Sequence, residues 1–196
     1  MKNNTWSDKN LIETLIKNGV AIMPTDTIYG IVGKALDKDT VERIYKIKRR
    51  NPEKPCIILI GNITEIEKFR IKLTQKQKKV LEEYWSFDST QDFQPRAVSI
   101  VLDCLDDSFK YLHRGTKTLA FRMPIPRTLR GLLLKVGPLV APSANPEDFS
   151  PAKTIEKAKK YFRDLVDFYE DGGILEGKHS KLIKLSKDGS VSVIRE

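Results

Sequence analysis

Residues Val20 to Gly30 read VAIMPTDTIYG, a four-residue apolar run cut off by a proline and followed at once by hydroxyl and acidic side chains. A short apolar run bounded by a proline reads as a strand. The segment PTDTIYG then carries polar residues into a turn at Gly30. Just upstream, DKNLIETLIKNG offers Asp8 as a helix cap, Leu11, Ile12, Leu15 and Ile16 as one apolar stripe, and Gly19 as a stop signal. Helix, strand and polar loop in succession are the pattern of an α/β protein.

The alternation continues along the chain. A second helix is predicted from Asp39 through Ile47, with Val41, Ile44 and Tyr45 inward, running into the basic stretch KIKRRNPEKP. CIILI (Cys56 to Ile60) reads as a strand buried on both faces, and one or two helices fill Thr64 to Trp85. The stretch SFDSTQDFQP is polar and irregular. Further strands are expected at Ala97 to Leu102, Thr118 to Arg122 and in PLVAP, with helices near Pro126 to Val136 and Pro151 to Phe162. After VDFYEDGG, two alternating strands, KLIKLS and SVSVIR, flank Asp188-Gly189, a hairpin signal. This order predicts an open, twisted, mixed β-sheet flanked by helices, formed as one domain over residues 1–196, with the polar clusters at strand ends carrying the chemistry.

Composition sets the limits of function. With 196 residues, 40% of them hydrophobic, the chain is expected to bury a substantial core. Lys and Arg number 35 against 26 Asp and Glu, a formal net charge of +9. That balance favours anionic partners such as nucleotides or tRNA, but scattered lysines such as those in KLTQKQKK fit a solvated surface equally well. Cys56 and Cys104 both sit in apolar runs, and His113 and His179 have no ligand spacing, which argues against a zinc site or a disulfide framework. No apolar run approaches the ~18 residues a membrane span requires, and MKNNTWSDKN has no signal-like apolar core. The expected compartment is the cytoplasm.

Three polar clusters stand out. Thr25, Asp26, Thr27 and Tyr29 follow the first strand, where they could line a pocket for a small zwitterion or simply close a turn through hydroxyl-to-backbone bonds. Lys48, Arg49, Arg50 and Lys54 crowd a helix C-terminus, where cations also complement the helix dipole. Four cations within seven residues, in a loop stiffened by Pro52 and Pro55, exceed what that role needs. The third cluster is PSAN, Pro142 to Asn145. There is no GxGxxG and no P-loop, so any nucleotide has to be held by hydroxyls, lysines and arginines.

The order PTDTIYG, KxR (Lys48, Arg50), RMP (Arg122 to Pro124) and APSAN (Ala141 to Asn145) resembles the YrdC-type family of threonylcarbamoyl-AMP synthases, from about Val20 to Arg195. The resemblance implies a YrdC-like fold with a basic concave site. It also implies an ATP-binding, RNA-associated nucleotidyltransferase that joins L-threonine, bicarbonate or CO2, and ATP into threonylcarbamoyl-AMP and diphosphate. Magnesium would come with the ATP phosphates and the protein alone would supply no metal site. The product would pass to a partner complex that modifies tRNA.

Carried over residue by residue, the resemblance sets Lys48 and Arg50 on the ATP phosphates and Lys54 at the carbamate–phosphate junction. Thr25, Thr27, Arg122 and Ser180 would bind threonine, with Arg122 on its carboxylate. Ser99, Thr118, Ser143, Asn145, Ser150 and Arg195 would line the nucleotide side. The chain departs from the family pattern in three places. DFQPRAVSIVL stands where relatives carry a WPGPLT-like stretch, with Pro95 and Ser99 standing in; Arg49 replaces the glycine of KGR; HSK (His179 to Lys181) replaces an EST-like triplet. Two other readings fit the same fold: a non-catalytic tRNA- or double-stranded-RNA-binding module, and other carbamoyl-adenylate chemistry.

Overall fold

The structure is a computed structural model, and it describes residues 6–86 and 97–196. Its elements in chain order begin with α1 (Lys9–Ile16), β1 (Ala21–Pro24), β2 (Tyr29–Lys34), α2 (Lys38–Lys48), β3 (Ile57–Leu59) and α3 (Gln75–Tyr84). They continue with β4 (Val98–Asp103), α4 (Lys110–His113), β5 (Thr118–Arg122), α5 (Arg127–Val136) and β6 (Leu139–Val140). The last are α6 (Ile155–Phe162), β7 (Phe168–Tyr169), β8 (Lys181–Leu185) and β9 (Val191–Arg195). The nine strands form one mixed sheet in the order β7-β1-β2-β6-β3-β5-β4-β8-β9.

Strand side chains alternate between faces with a period of two, and the two apolar clusters follow that rule. Ile22, Ile31, Ile58, Ile60, Ile100 and Phe121 lie on one face, with residues of α2, α3 and α6 packed over them. Ala21, Met23, Val32 and Leu59 lie on the other, beneath Leu11 and Leu15 of α1 and Leu129, Leu132 and Leu133 of α5. CIILI is therefore buried on both faces, as its unbroken apolar character predicts. The helices of the second face cover β1, β2, β6 and β3. No helix of that cluster extends over β5, β4 and β8.

Two local expectations are corrected. Gly30 is not the turn: it lies within β2, opposite Met23, and the turn is Thr25 to Ile28. Thr25 closes that hairpin with its own hydroxyl, which accepts from Thr27 N at 3.2 Å and Ile28 N at 3.3 Å and donates to the Ile28 carbonyl at 2.7 Å. Gly30 allows a close approach, because a Cβ there would meet Thr25 Cγ2 at 3.1 Å. Likewise α1 ends at Ile16, and the left-handed residue behind it is Asn18, at φ 62°, rather than Gly19. The Asp188-Gly189 hairpin forms as expected between antiparallel β8 and β9, with Gly189 at φ 89°. Most of SFDSTQDFQP, including Pro95, lies outside the described residues.

Candidate functional site

The open half of the second sheet face is the floor of a cleft of about 340 Å³. Thr118, Ala120 and Arg122 project into it from alternate positions of β5, beside Ile57 of β3, Val101 of β4 and Leu182 of β8. Its rim is built from the segments picked out in sequence: Thr25 and Thr27 after β1, Arg50 and Pro55 after α2, Ala141 to Ser143 after β6, and Ser180 and Arg195 at the β8–β9 edge. Sequence reasoning assigned the chemistry to strand-end loops; here the sheet face itself contributes the floor.

The best-ordered wall is the Thr25–Ile28 turn. Its hydroxyls meet at 3.1 Å (Thr25 Oγ1 to Thr27 Oγ1), and Arg122 Nη2 approaches Thr25 Oγ1 at 3.5 Å. Asp26 turns inward between the two threonines. Its Oδ1 lies 3.0 Å from Arg122 Nη2, with the two side chains 1% and 4% exposed respectively. Asp26 Oδ2 and Arg122 Nε have no hydrogen-bond partner among the described residues. Burial lowers the guanidinium pKa, while the Asp26 carboxylate counters that effect. Arg122 thus faces the cleft already paired, a feature the assignment from sequence did not include.

The PSAN loop is fixed from behind. Ala144 N donates to the Tyr29 carbonyl at 2.8 Å, and Ile31 N to the Pro142 carbonyl at 3.0 Å. Lys48 is buried, and its ammonium donates to the Ser143 carbonyl at 2.6 Å and to the Asn145 carbonyl. Burial, aided by nearby Arg50, brings the Lys48 pKa down to about 8. Lys48 therefore points into the backbone of the loop, and it is not among the residues that line the cleft.

Four other residues expected at the site also lie off the lining. Lys54 Nζ is paired with Glu147 at 2.7 Å, Asn145 Nδ2 donates to the Pro146 and Phe149 carbonyls at 2.8 and 2.7 Å, and Ser150 lies exposed, its carbonyl accepting from the Tyr161 hydroxyl. Ser99 is fully buried, its hydroxyl 2.8 Å from that of Ser180, so it supports Ser180 from beneath.

The opposite wall is looser. Arg195 Nη2 donates to the Ser180 carbonyl at 2.8 Å, while on the rim after α2 Arg50 donates to the Lys54 and Pro55 carbonyls at 3.1 and 2.9 Å. His179 lines this wall and was not among the expected site residues; partial burial, then Arg195 and Arg122, lowers its imidazole pKa. Lys181, which stands at the end of the EST-like position, turns away to pair with Glu196 at 3.0 Å. Arg49, in place of the glycine of KGR, adopts φ 51°, the left-handed conformation that glycine adopts without strain.

Sequence reasoning also missed a strap across the first wall, the irregular segment from Glu170 to Ser180. The Tyr29 hydroxyl donates to the Gly173 carbonyl and accepts from Gly172 N, both at 2.8 Å, and burial pushes its pKa up to about 12. A Cβ at Gly172 would come within 2.6 Å of Pro24 Cγ, and one at Gly177 within 1.8 Å of the Thr27 carbonyl oxygen. The paired glycines in EDGG were the available signal.

Comparisons with known proteins bear on the same architecture. The Sua5/YciO/YrdC family model, described as "Telomere recombination", matches residues 13–196. The chain is 32% identical to the threonylcarbamoyl-AMP synthase of Bacillus subtilis over 133 residues, 67% of this chain and 36% of that protein. It is 28% identical to the threonylcarbamoyl-AMP synthase of Hahella chejuensis over 189 residues, 94% of this chain and 93% of that one. The Pyrococcus abyssi Sua5 structure complexed with L-threonine superposes with a TM-score of 0.78 at 23% identity, over 94% of this chain and 52% of that chain, a likeness of fold. The chain thus spans about a third of the Bacillus protein, half of the Pyrococcus one and nearly all of the Hahella one. With the family model covering all but its first residues, this chain belongs to the Sua5/YciO/YrdC family.

Proposed function

We propose that the chain is a transferase that makes threonylcarbamoyl-AMP and diphosphate from L-threonine, bicarbonate or CO2, and ATP. The observation that carries this reading is a single cleft lined both by a hydroxyl-rich turn with a buried arginine (Thr25, Thr27, Arg122) and by Arg50, Ser143 and Arg195. It supports a small polar substrate on one side and a polyanion on the other. Relatives named threonylcarbamoyl-AMP synthase, one of them matched almost end to end, supply the chemistry for that pair.

The threonine amine bonds to the carbon of CO2, or of bicarbonate with loss of water, and gives up a proton to form a carbamate. A carbamate oxygen then attacks the α-phosphorus of ATP, and the bond from that phosphorus to the bridging oxygen breaks to release diphosphate. Arg122 holds the threonine carboxylate and Thr25 and Thr27 surround its side chain. Arg50 and Arg195 take the phosphates, Thr118 and Ser143 the rest of the nucleotide. Lys48 acts at one remove, keeping the Ser143–Asn145 backbone in place.

None of these steps needs a covalent enzyme intermediate, so positioning and charge neutralisation supply the acceleration. Among the described residues no group of three or more His, Cys, Asp or Glu could hold a metal ion. Magnesium in this reading enters on the triphosphate, where it would offset the charge of the departing diphosphate. In this reading the product feeds a complex that modifies tRNA, in the cytoplasm; no helix among the described residues is long and apolar enough to cross a membrane.

The test is diphosphate release from ATP by the purified chain, with L-threonine and bicarbonate supplied or withheld in turn. Release should require both, and should fall at least ~100-fold in Arg50→Ala, in line with the loss of a preorganised charge contact. Release that ignores threonine, or survives that substitution unchanged, would overturn the reading.

A further inference from the structure

The three arginines of the cleft are not electrostatically equivalent. Arg50 and Arg195 hydrogen-bond to backbone carbonyls, and among the described residues neither has a carboxylate at ion-pair distance. Arg122 is paired with Asp26 at 3.0 Å, and both Asp26 oxygens are buried, so the carboxylate touches its arginine but no ligand in the cleft. The order Thr-Asp-Thr places the two hydroxyls on the cleft side of the turn and the carboxylate behind it.

The consequence follows from distance. At contact, the Arg122 guanidinium still offers N–H donors to a carboxylate. A few ångströms further out Asp26 cancels its charge, and because the two side chains are only 1% and 4% exposed that cancellation is little screened by water. An ammonium next to the bound carboxylate is then not repelled, and a phosphate chain is not drawn in. An unpaired arginine at the same place would do the reverse.

We infer that Asp26 is a positioning residue that makes the Arg122 end selective for a zwitterionic α-amino acid over a simple anion, leaving the polyanion to the end carrying Arg50. The inference rests on the proposed function for the identity of its ligand, L-threonine.

Calorimetric titration of the chain with L-threonine and with 3-hydroxybutyrate, which keeps the hydroxyl and carboxylate but lacks the amine, tests it. Wild type should prefer threonine by at least about tenfold. Asp26→Glu, which keeps the charge, should retain most of that preference. Asp26→Asn should lose it, with threonine weakened, 3-hydroxybutyrate strengthened and ATP affinity unmoved; a purely structural defect would weaken both small ligands together. A folded Asp26→Asn that keeps the wild-type ratio overturns the inference. Should neither variant fold, the wild-type ratio decides: equal affinity for the two ligands overturns the inference, and a tenfold preference upholds it. Wild type that binds neither threonine nor its analogue but releases diphosphate without threonine points instead to failure of the proposed function.

Discussion

The two walls of the cleft are built in opposite ways. The Thr25–Ile28 wall is held at every point: Thr25 Oγ1 bonds three backbone groups, Arg122 is paired beneath it, and Gly172 and Gly177 press the strap against Pro24 and Thr27. The Ser180–Arg195 wall ends the sheet, and every residue of β9 is exposed, with Val193 and Ile194 at 53% and 55%. Dense burial fixes side chains in advance, which suits discrimination of a small ligand. An open edge held by few bonds suits a larger, charged one whose affinity comes from a few strong contacts. Substitutions on the first wall should therefore change stability and binding together, and those on the second binding alone.

The largest expected effect comes from Arg122→Ala. It removes the proposed contact to threonine and leaves Asp26 buried without its counterion, a loss of about 3–5 kcal/mol. Urea unfolding should show it, and threonine-dependent diphosphate release should vanish. An unchanged unfolding midpoint would break the contrast between the walls.

Lys48→Met comes next, because it strands the buried Asn145 carbonyl at a cost of about 1–3 kcal/mol and leaves the Ser143 carbonyl with Asn145 N as its donor, while replacing no residue of the cleft lining. The pH dependence has a definite sign. Lys48 has a folded pKa of about 8 against an ordinary value of 10.5, so between those values the unfolded chain holds more protons and wild-type stability rises with pH. The stability gap between wild type and Lys48→Met should widen from pH 8 to 10 in thermal melts, and a constant gap would contradict the assignment.

Arg195→Ala tests the open wall. The KM for ATP should rise about tenfold, within the ~1.5–3 kcal/mol of a hydrogen bond to a charged group. The melting temperature should stay within the small range of surface substitutions, and a marked fall in melting temperature would erase the distinction. The smallest effect expected is a gain. Arg49 is strained at φ 51°, so Arg49→Gly should stabilise the fold by about 0.5–1 kcal/mol in urea titration.

What could be read from the sequence followed the same division. Strands that are apolar on both sides, such as CIILI, announced themselves because burial on two faces leaves no other composition. β2 and β7 did not: β2 opens with the polar turn and carries Gly30 and Gly33, and β7 is only two residues long, too short for any period. Among site residues, Thr25, Thr27 and Ser143 stood out as polar groups after apolar runs and Arg50 as part of a cation cluster, whereas Thr118, Arg122, Ser180 and Arg195 came only through the family resemblance. The inward turn of Asp26 was not, because Thr-Asp-Thr has the same letters whichever side chain faces the core. Nor was the diversion of Lys48, whose partners are backbone carbonyls almost a hundred residues away and carry no sequence signature.

The most direct measurement is to supply the purified chain with carbon-13 bicarbonate, ATP and L-threonine and to weigh the adenylate product by mass spectrometry. The expected species contains one AMP, one threonine and one labelled carbon joining them, and it is absent when threonine is replaced by 3-hydroxybutyrate. An unlabelled adenylate, or diphosphate release with no adenylate carrying threonine, would contradict a cleft built to bring an amino acid and a nucleotide together.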